Sequence, residues 1–416
     1  MGVVLTKHRD STGLVIDSMT RLPKVVLVGG EDVDARLELM HHLRKTYDVT
    51  ALGSEPALHD SFAAAGFPYR DYPLSRRANP FLDLLTVGRL YAILRKLRPQ
   101  IVHTFDTKPG VWGPLAAWLA GVPITVRTIT GLGSLYTSDN LKTRCLRWIY
   151  QTLQRATGRF LDLAIFQNHD DARQLVAAGI VPEHKSRVIL GSGVSTELFT
   201  PARVDEAQRI ELRKELGVGA EEPLVTMISR IIRSKGVLDL VLAAQEVVHR
   251  YPNTRFLLVG PVDENSIDRL NSTELAQLRQ TVICPGTRQD IPTVLGASDV
   301  FVLPSAYREG IPRVLLEAAA MGLPIVTTDS PGCNEVVEDA VNGFLIPAGA
   351  PRELARAILR LLEEPGLRRS FGQVSRQRAV ERFDISVIAA QTRRVYQGLL
   401  SAAAASGKLS TGKARN

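Results

Sequence analysis

Residues 224–236 read LVTMISRIIRSKG. Residues 224–228 are apolar or β-branched, the signature of a short buried strand. Arg230 and Lys235 follow, and then Gly236 opens a segment, 236–250, with helical apolar spacing. A strand that enters a helix through a cationic loop places the helix N-terminus and two positive charges beside one anion. The same kind of opening occurs earlier. KVVLV, residues 24–28, predicts a strand that ends in Gly29-Gly30, with a helix over about 33–45.

The pattern between these two openings is strand and helix in alternation. Further strands are predicted at 47–51, 101–104, 124–128, 163–166 and 187–190, with a helical segment at 113–120. After Phe199 the rhythm pauses in a polar helical stretch, 200–223. It restarts with strands at 224–228, 255–259, 282–284, 300–303 and 325–327 and a helix at 312–321. Such order predicts α/β architecture: two Rossmann-like domains with parallel sheets that face each other across a cleft. A length of 416 residues accommodates two domains. The expected division is an N-terminal extension, 1–23, a first domain, 24–199, and a second domain, 200–385. A helix at 386–401 and a disordered Ala/Ser/Gly/Lys-rich tail, 402–416, complete it.

Composition narrows the class. With 45% hydrophobic and 23% charged residues, the chain can bury two cores without a disulfide or metal staple. Cys145, Cys284 and Cys333 are far apart and match no zinc spacing, so they read as incidental thiols of a reducing compartment. Residues 1–23 mix Lys7, His8, Arg9, Asp10 and Asp17 among short apolar stretches, which is no secretory leader. No apolar run reaches membrane-spanning length. These features predict a cytoplasmic protein. The net charge is +8, and residues 70–159 alone hold 14 Lys+Arg against 4 Asp+Glu. That field calls for an anionic partner. No nucleic-acid motif is present and the basic stretch lacks interleaved aromatics, so nucleic acid is not the expected one.

The strongest chemical signal is EGIPRVLLE, residues 309–317. Glu309 precedes the turn Gly310-Ile311-Pro312, and Pro312 suits the first turn of a helix. Glu317 then lies inside that helix, and both carboxylates can face the cleft and accept hydrogen bonds from vicinal hydroxyls. Gly29 and Gly30 let backbone N–H groups come close to a phosphate or sugar, although such a pair is often only a turn. There is no complete G-x-G-x-x-G, which argues against a dinucleotide. Asp32 and Asp34 spell D-x-D, but they open a helix, where acids complement the dipole; no essential metal or other cofactor is expected. His103, Asp106 and Lys108 in HTFDTKPG fit an acceptor pocket or a structural role equally. His169 reads as a loop residue before a helix. Residues 141–160 place Arg144, Arg147, Arg155 and Arg159 on one helical face, opposite Leu146, Ile149, Tyr150, Leu153 and Phe160. This is either an interfacial helix on an anionic leaflet, with Trp148 at its edge, or a core helix with a solvated basic back.

These motifs resemble glycosyltransferase family 4, over almost the whole chain from Lys24 to Leu400. The most specific part is residues 309–347, EGIPRVLLEAAAMGLPIVTTDSPGCNEVVEDAVNGFLIP. It is similar to the family's E-x7-E motif and the glycine/glutamate loop, here residues 331–335. SRIIRSKG matches its R-x4-K pair, FQNHDDARQL and VILGSGVSTELF its inter-domain segment, and CPGTRQDIPTVLGASDVFVLPS its base-binding loop and strand. The resemblance implies a GT-B fold and a retaining transferase of a hexose or N-acetylhexosamine. The implied donor is a nucleotide-diphospho-sugar, UDP-linked in most of the family. The implied acceptor is a glycan or polyprenyl-diphosphate-linked saccharide of O-antigen or capsule type.

It also implies that Arg230 and Lys235 hold the diphosphate, Glu309 the sugar hydroxyls and Glu317 the ribose. Backbone around Gly286, Thr287 and Arg288 meets the base, and Gly30 approaches the diphosphate. Ile311, Pro312, Thr130 and His103 complete the expected substrate-binding set, and the last helix crosses back to the first domain. Many members carry His-Gly where this chain has Thr130-Gly131, which leaves the transferred sugar open rather than the reaction. The basic region and a lipid-linked acceptor together imply peripheral contact with the inner face of the membrane. A nucleotide-sugar epimerase on the same fold and a non-catalytic nucleotide-sugar binder are the competing readings; the glutamate and Arg/Lys motifs count against both.

Overall fold

The computed structural model describes residues 22–75, 79–136 and 141–409. Residues 1–21 of the expected extension and 410–416 of the expected tail lie outside them.

Two all-parallel sheets carry the fold. The first has β1 (Lys24–Val28), β2 (Asp48–Gly53), β3 (Tyr69–Asp71), β4 (Ile101–Thr104), β5 (Ile124–Ile129), β6 (Leu163–Phe166) and β7 (Ser186–Val188), in the order β3-β2-β1-β4-β5-β6-β7. The second has β8 (Leu224–Ile228), β9 (Arg255–Val259), β10 (Ile283–Gly286), β11 (Val300–Leu303), β12 (Ile325–Thr328) and β13 (Gly343–Ile346), in the order β10-β9-β8-β11-β12-β13. Strands β1, β4, β6, β8, β9 and β11 fall on the residues that the sequence predicts. Their apolar runs are buried on both faces, as parallel strands between two helical layers must be. In β1 the alternation is visible: Val25 and Leu27 enter one core cluster, Val26 and Val28 the other.

The strand order locates the site. β1 has β2 on one side and β4 on the other, and β8 has β9 and β11. Each sheet therefore reverses its winding beside its first strand, and the loops leaving the two strands diverge to form a crevice. Gly29-Gly30 and Phe105-Asp106 leave β1 and β4. Arg230–Lys235 and Tyr307–Glu309 leave β8 and β11.

Several expected elements need correction. The helix expected over 33–45 is a 3-10 turn, Val33–Arg36, and a short α-helix, Leu37–Leu43. Asp32 is the N-cap residue of that 3-10 turn and Asp34 lies in its first turn, where acids complement the dipole, although the Asp32 side chain makes no capping hydrogen bond. The last helix runs Ile385–Ala405, so residues 402–405 of the expected tail are its end. Alanines favour helix, and Ala403 is buried in the first domain's core with Ile385, Ile388, Ala389 and Tyr396. The chain returns through a crossing in which Val194 N–H donates to Phe383 O (3.0 Å) and Ile385 N–H to Val194 O (2.9 Å).

Candidate functional site

Strand β8 ends at Ile228, and the chain makes a 3-10 turn, Arg233–Lys235, before the helix Val237–Arg250. Lys235 is buried at the floor of the crevice and forms an ion pair with Glu309, which follows β11. Its ammonium also lies 5.4 Å from the centre of the Tyr307 ring. Burial, with the charge of Arg230 added, pulls the Lys235 ammonium down to about 8, against a raising effect from Cys333. The Glu309 carboxylate works in the same direction as Cys333, since an opposite charge favours the charged amine.

The other two expected charges are engaged with different partners. Arg230 donates to Asp263 (2.8 Å), on the loop after β9. Glu317 is buried on the helix Arg313–Ala320 and accepts from Arg313 Nε (3.1 Å); Arg313 also reaches Glu38 of the first domain (3.3 Å). Burial pushes the Glu317 carboxyl up, and Arg313 opposes the shift. The structure thus joins Lys235 to Glu309 directly and leaves Arg230 and Glu317 on flanking ion pairs at the same sheet edge. Pro312 stands as the N-cap residue of the Glu317 helix, one position before its first turn.

Four expected binding residues sit differently from the sequence reading. His103 is 1% exposed; its ring nitrogens are bonded to Tyr396 Oη (2.6 Å) and Thr128 Oγ (2.7 Å). Burial pushes it down to about 3, so it is a neutral core residue tying the last helix to β5 and lines no acceptor pocket. Gly29 and Gly30 offer no spare N–H: Gly29 donates to Leu52 O (2.9 Å) and Gly30 to Asp106 Oδ2 (3.0 Å). Gly29 is needed for packing instead, since a Cβ there would meet the Val33 side chain at 2.9 Å. The Ile311 side chain is 5% exposed and belongs to the second core, which leaves only its backbone for a ligand. Arg288 is held by Glu215 (2.6 Å) and Asp290 (2.8 Å), so backbone alone is presented by Arg288, beside Thr287 and Gly286.

The first domain meets this site through backbone and side chains. Gly310 N–H donates to Thr130 O (2.8 Å) and Gly133 N–H to Arg308 O (2.9 Å). Asn168 Nδ2 donates to Gly310 O (2.8 Å). His169, expected to be a bystander, clasps Glu335 of the glycine/glutamate loop with both its backbone N–H and Nδ1 (2.8 Å each). Sequence reasoning missed Asp263 and Glu38 because each is defined only by a partner on another element, whereas Arg313 pairs with Glu317 at an i,i+4 spacing on one helix that the sequence does show.

Comparison with known proteins gives this geometry a lineage. Residues 208–378 match the family described as Glycosyl transferases group 1, and residues 33–190 match a Glycosyl transferase 4-like domain. The chain is 31% identical to the N,N'-diacetylbacillosaminyl-diphospho-undecaprenol alpha-1,3-N-acetylgalactosaminyltransferase of Campylobacter jejuni, covering 79% of this chain and 85% of that protein. This chain belongs to the group 1 glycosyltransferases. It is also 29% identical to the UDP-Gal:alpha-D-GlcNAc-diphosphoundecaprenol alpha-1,3-galactosyltransferase of Escherichia coli, over 70% of this chain and 73% of that one. The solved structure of Anabaena HepE in complex with UDP superposes with a TM-score of 0.75 at 21% identity, over 90% of this chain and 100% of that one. The glycosyltransferase therefore has the GT-B fold, with the Lys235–Glu309 pair at the switch point of its second domain.

Proposed function

We propose that this glycosyltransferase moves a hexose or N-acetylhexosamine, with retention, from a UDP-sugar to a polyprenyl-diphosphate-linked saccharide in polysaccharide assembly. The contact between Lys235 and Glu309 carries the reading. It sets a cation for the diphosphate beside a carboxylate for sugar hydroxyls, where the phosphate–sugar bond of a nucleotide-sugar would lie. Arg230 leaves Asp263 for the donor phosphates, and Glu317 shares its carboxylate between Arg313 and the ribose. The anomeric C–O bond to phosphate breaks as the acceptor oxygen bonds on the same face, and the acceptor's proton passes to the leaving phosphate oxygen. Lys235 and Arg230 meet the charge that grows on that phosphate, so no metal is invoked. The undecaprenyl-linked acceptors named for the Campylobacter and Escherichia relatives support the acceptor class.

A panel of nucleotide-sugars tested against polyprenyl-diphosphate-linked saccharides, read by product mass and anomeric configuration, tests this directly. A UDP-linked hexose or N-acetylhexosamine and an α-linked product are expected. Transfer from no member of the panel, or an inverted product, refutes the proposal.

Membrane contact belongs to the same proposal. Among the described residues no helix is long and apolar enough to cross a membrane. The expected helix runs Leu141–Gly158 and packs beside the helix Pro109–Leu119, which packs beside Pro80–Leu97. It shows Leu141, Leu146, Trp148 and Ile149 to solvent together with Arg144 and Arg155. Pro80–Leu97, unseen in the sequence, exposes Phe81, Leu84 and Leu85. Apolar side chains among cations suit an anionic leaflet. The protein is expected to float with phosphatidylglycerol vesicles at low salt and to release at high salt. Phe81→Ser with Trp148→Ser should cut partitioning by about tenfold or more, from the lost apolar burial. Absence of flotation at low salt ends this part.

A further inference from the structure

Asp106 stands at the carboxyl end of β4 with φ +63°, a left-handed backbone that few residues other than glycine adopt. It faces Gly30 across the switch point of the first sheet. Its Oδ2 accepts from Gly30 N–H (3.0 Å), and the Thr130 side chain faces its carboxylate. Asp32 is close by: a Cβ on Gly30 would lie 3.7 Å from Asp106 Oδ2 and 3.9 Å from Asp32 Oδ1. Burial first, and then the charge of Asp32, push the Asp106 carboxyl up, with Arg36 opposing. Among the described residues no ion-pair partner meets Asp106.

A carboxylate has about four acceptor positions, and the Gly30 N–H fills one of them. The desolvation and the repulsion from Asp32 oppose placing an acid at this point, and Asp106 is there nonetheless. A left-handed residue other than glycine at the switch point of a sheet is a conformation that recurs at ligand sites. The aim is given by Thr130. Its carbonyl accepts from Gly310 N–H (2.8 Å), next to Glu309, and Glu309 touches Lys235. A continuous path of contacts thus runs from Asp106 through Thr130 to the carboxylate assigned to the transferred sugar.

We infer that Asp106, together with the Thr130 hydroxyl, is a specificity-determining residue that accepts a hydrogen bond from a hydroxyl of the transferred donor sugar, opposite Glu309. Glu309 then reads the sugar from the second domain and the Asp106–Thr130 pair reads it from the first. Only a donor that offers a hydroxyl on both sides satisfies both acceptors. This rests on the glycosyl-transfer reading.

The test uses the UDP-sugar that the wild-type protein turns over, its monodeoxy donor analogues, and monodeoxy forms of the acceptor saccharide. Asp106→Asn is the informative variant. Asn tolerates the left-handed backbone and can still accept from Gly30 N–H, but it is a weaker acceptor for a sugar hydroxyl. Wild type should reject one donor analogue by about 100-fold or more in kcat/KM, because that analogue leaves a half-buried acceptor unpaired. In Asp106→Asn, and in Thr130→Val, the ratio should collapse below about tenfold. UDP alone, bound by the second domain, should keep its wild-type affinity in calorimetry. Donor discrimination unchanged in both variants overturns the inference, and so does loss of discrimination confined to the acceptor series. Equal weakening of UDP and UDP-sugar binding assigns Asp106 a structural role and also overturns it. Failure of wild type to transfer from any donor removes the glycosyl-transfer reading itself, and this inference with it. Wild-type transfer with unaltered discrimination removes this inference alone.

Discussion

Lys235→Ala lowers kcat/KM for sugar transfer by about 10²–10³-fold, the scale of losing one preorganised charge at a developing oxyanion. The loss is large because Lys235 is 6% exposed. Its charge acts in a dry crevice where water screens it little. The fold survives the change. Glu309, left without its cation, is 26% exposed on its side chain and can turn to water. The thermal midpoint is therefore expected to move by no more than a few degrees. UDP affinity falls less than turnover, since negative charge on the β-phosphate grows only as the glycosidic bond breaks.

The same residue predicts a pH profile. Lys235 must be protonated to meet the diphosphate, and burial pulls it down to about 8. In the free enzyme the cation is present below that pH and lost as pH rises through it. The kcat/KM profile should therefore show an alkaline limb near or somewhat above pH 8, with Glu309 acting to raise it. In kcat the limb moves further up, because bound diphosphate holds the proton. Lys235→Ala removes the limb along with most of the rate. Identical profiles for wild type and variant would take Lys235 out of the reaction.

What was legible in the sequence follows a physical division. Buried strands such as LVTMI and VFVL announce themselves, because both faces must be apolar and the run must be short. The E-x7-E and R-x4-K spacings are also local, and the structure sets both beside one crevice. Edge elements were not legible. β3 is three residues, YRD, and Pro80–Leu97 opens with Phe81, Leu84 and Leu85 turned to solvent, which blurs its periodicity. Pairings were not legible either. Arg230 finds Asp263 33 positions away, His169 finds Glu335 at 166, and Arg313 finds Glu38 at 275. His103 is the sharpest case. A histidine after a strand in a motif-bearing loop suggests substrate, until Tyr396, 293 positions away, is placed against it.

Gly131→Ala should cost nearly as much activity as removal of Lys235, with no change in any charged group. Gly131 has φ +121°, and a Cβ there would lie 2.5 Å from Gly310 N and 2.6 Å from the Glu309 carbonyl carbon. Both neighbours are backbone, so no side chain can swing aside. The methyl must push the first-domain loop off the Glu309–Gly310 turn. That breaks the Gly310-to-Thr130 and Gly133-to-Arg308 hydrogen bonds, and Glu309 shifts relative to Lys235. A displacement of about 1 Å in such a constellation costs about 100-fold in rate. Backbone strain alone must be separated from this effect, and Gly121→Ala does so. Gly121 has φ +74° with nothing within 4 Å of its hypothetical Cβ. Its substitution should cost about 1–3 kcal/mol of stability and leave turnover unchanged. UDP binding should survive in Gly131→Ala, because the loops that would hold the nucleotide belong to the second domain. If Gly131→Ala turns over at the wild-type rate, the two domains need not meet at this contact for transfer, and the closed arrangement of Thr130 against Gly310 is not the reacting one.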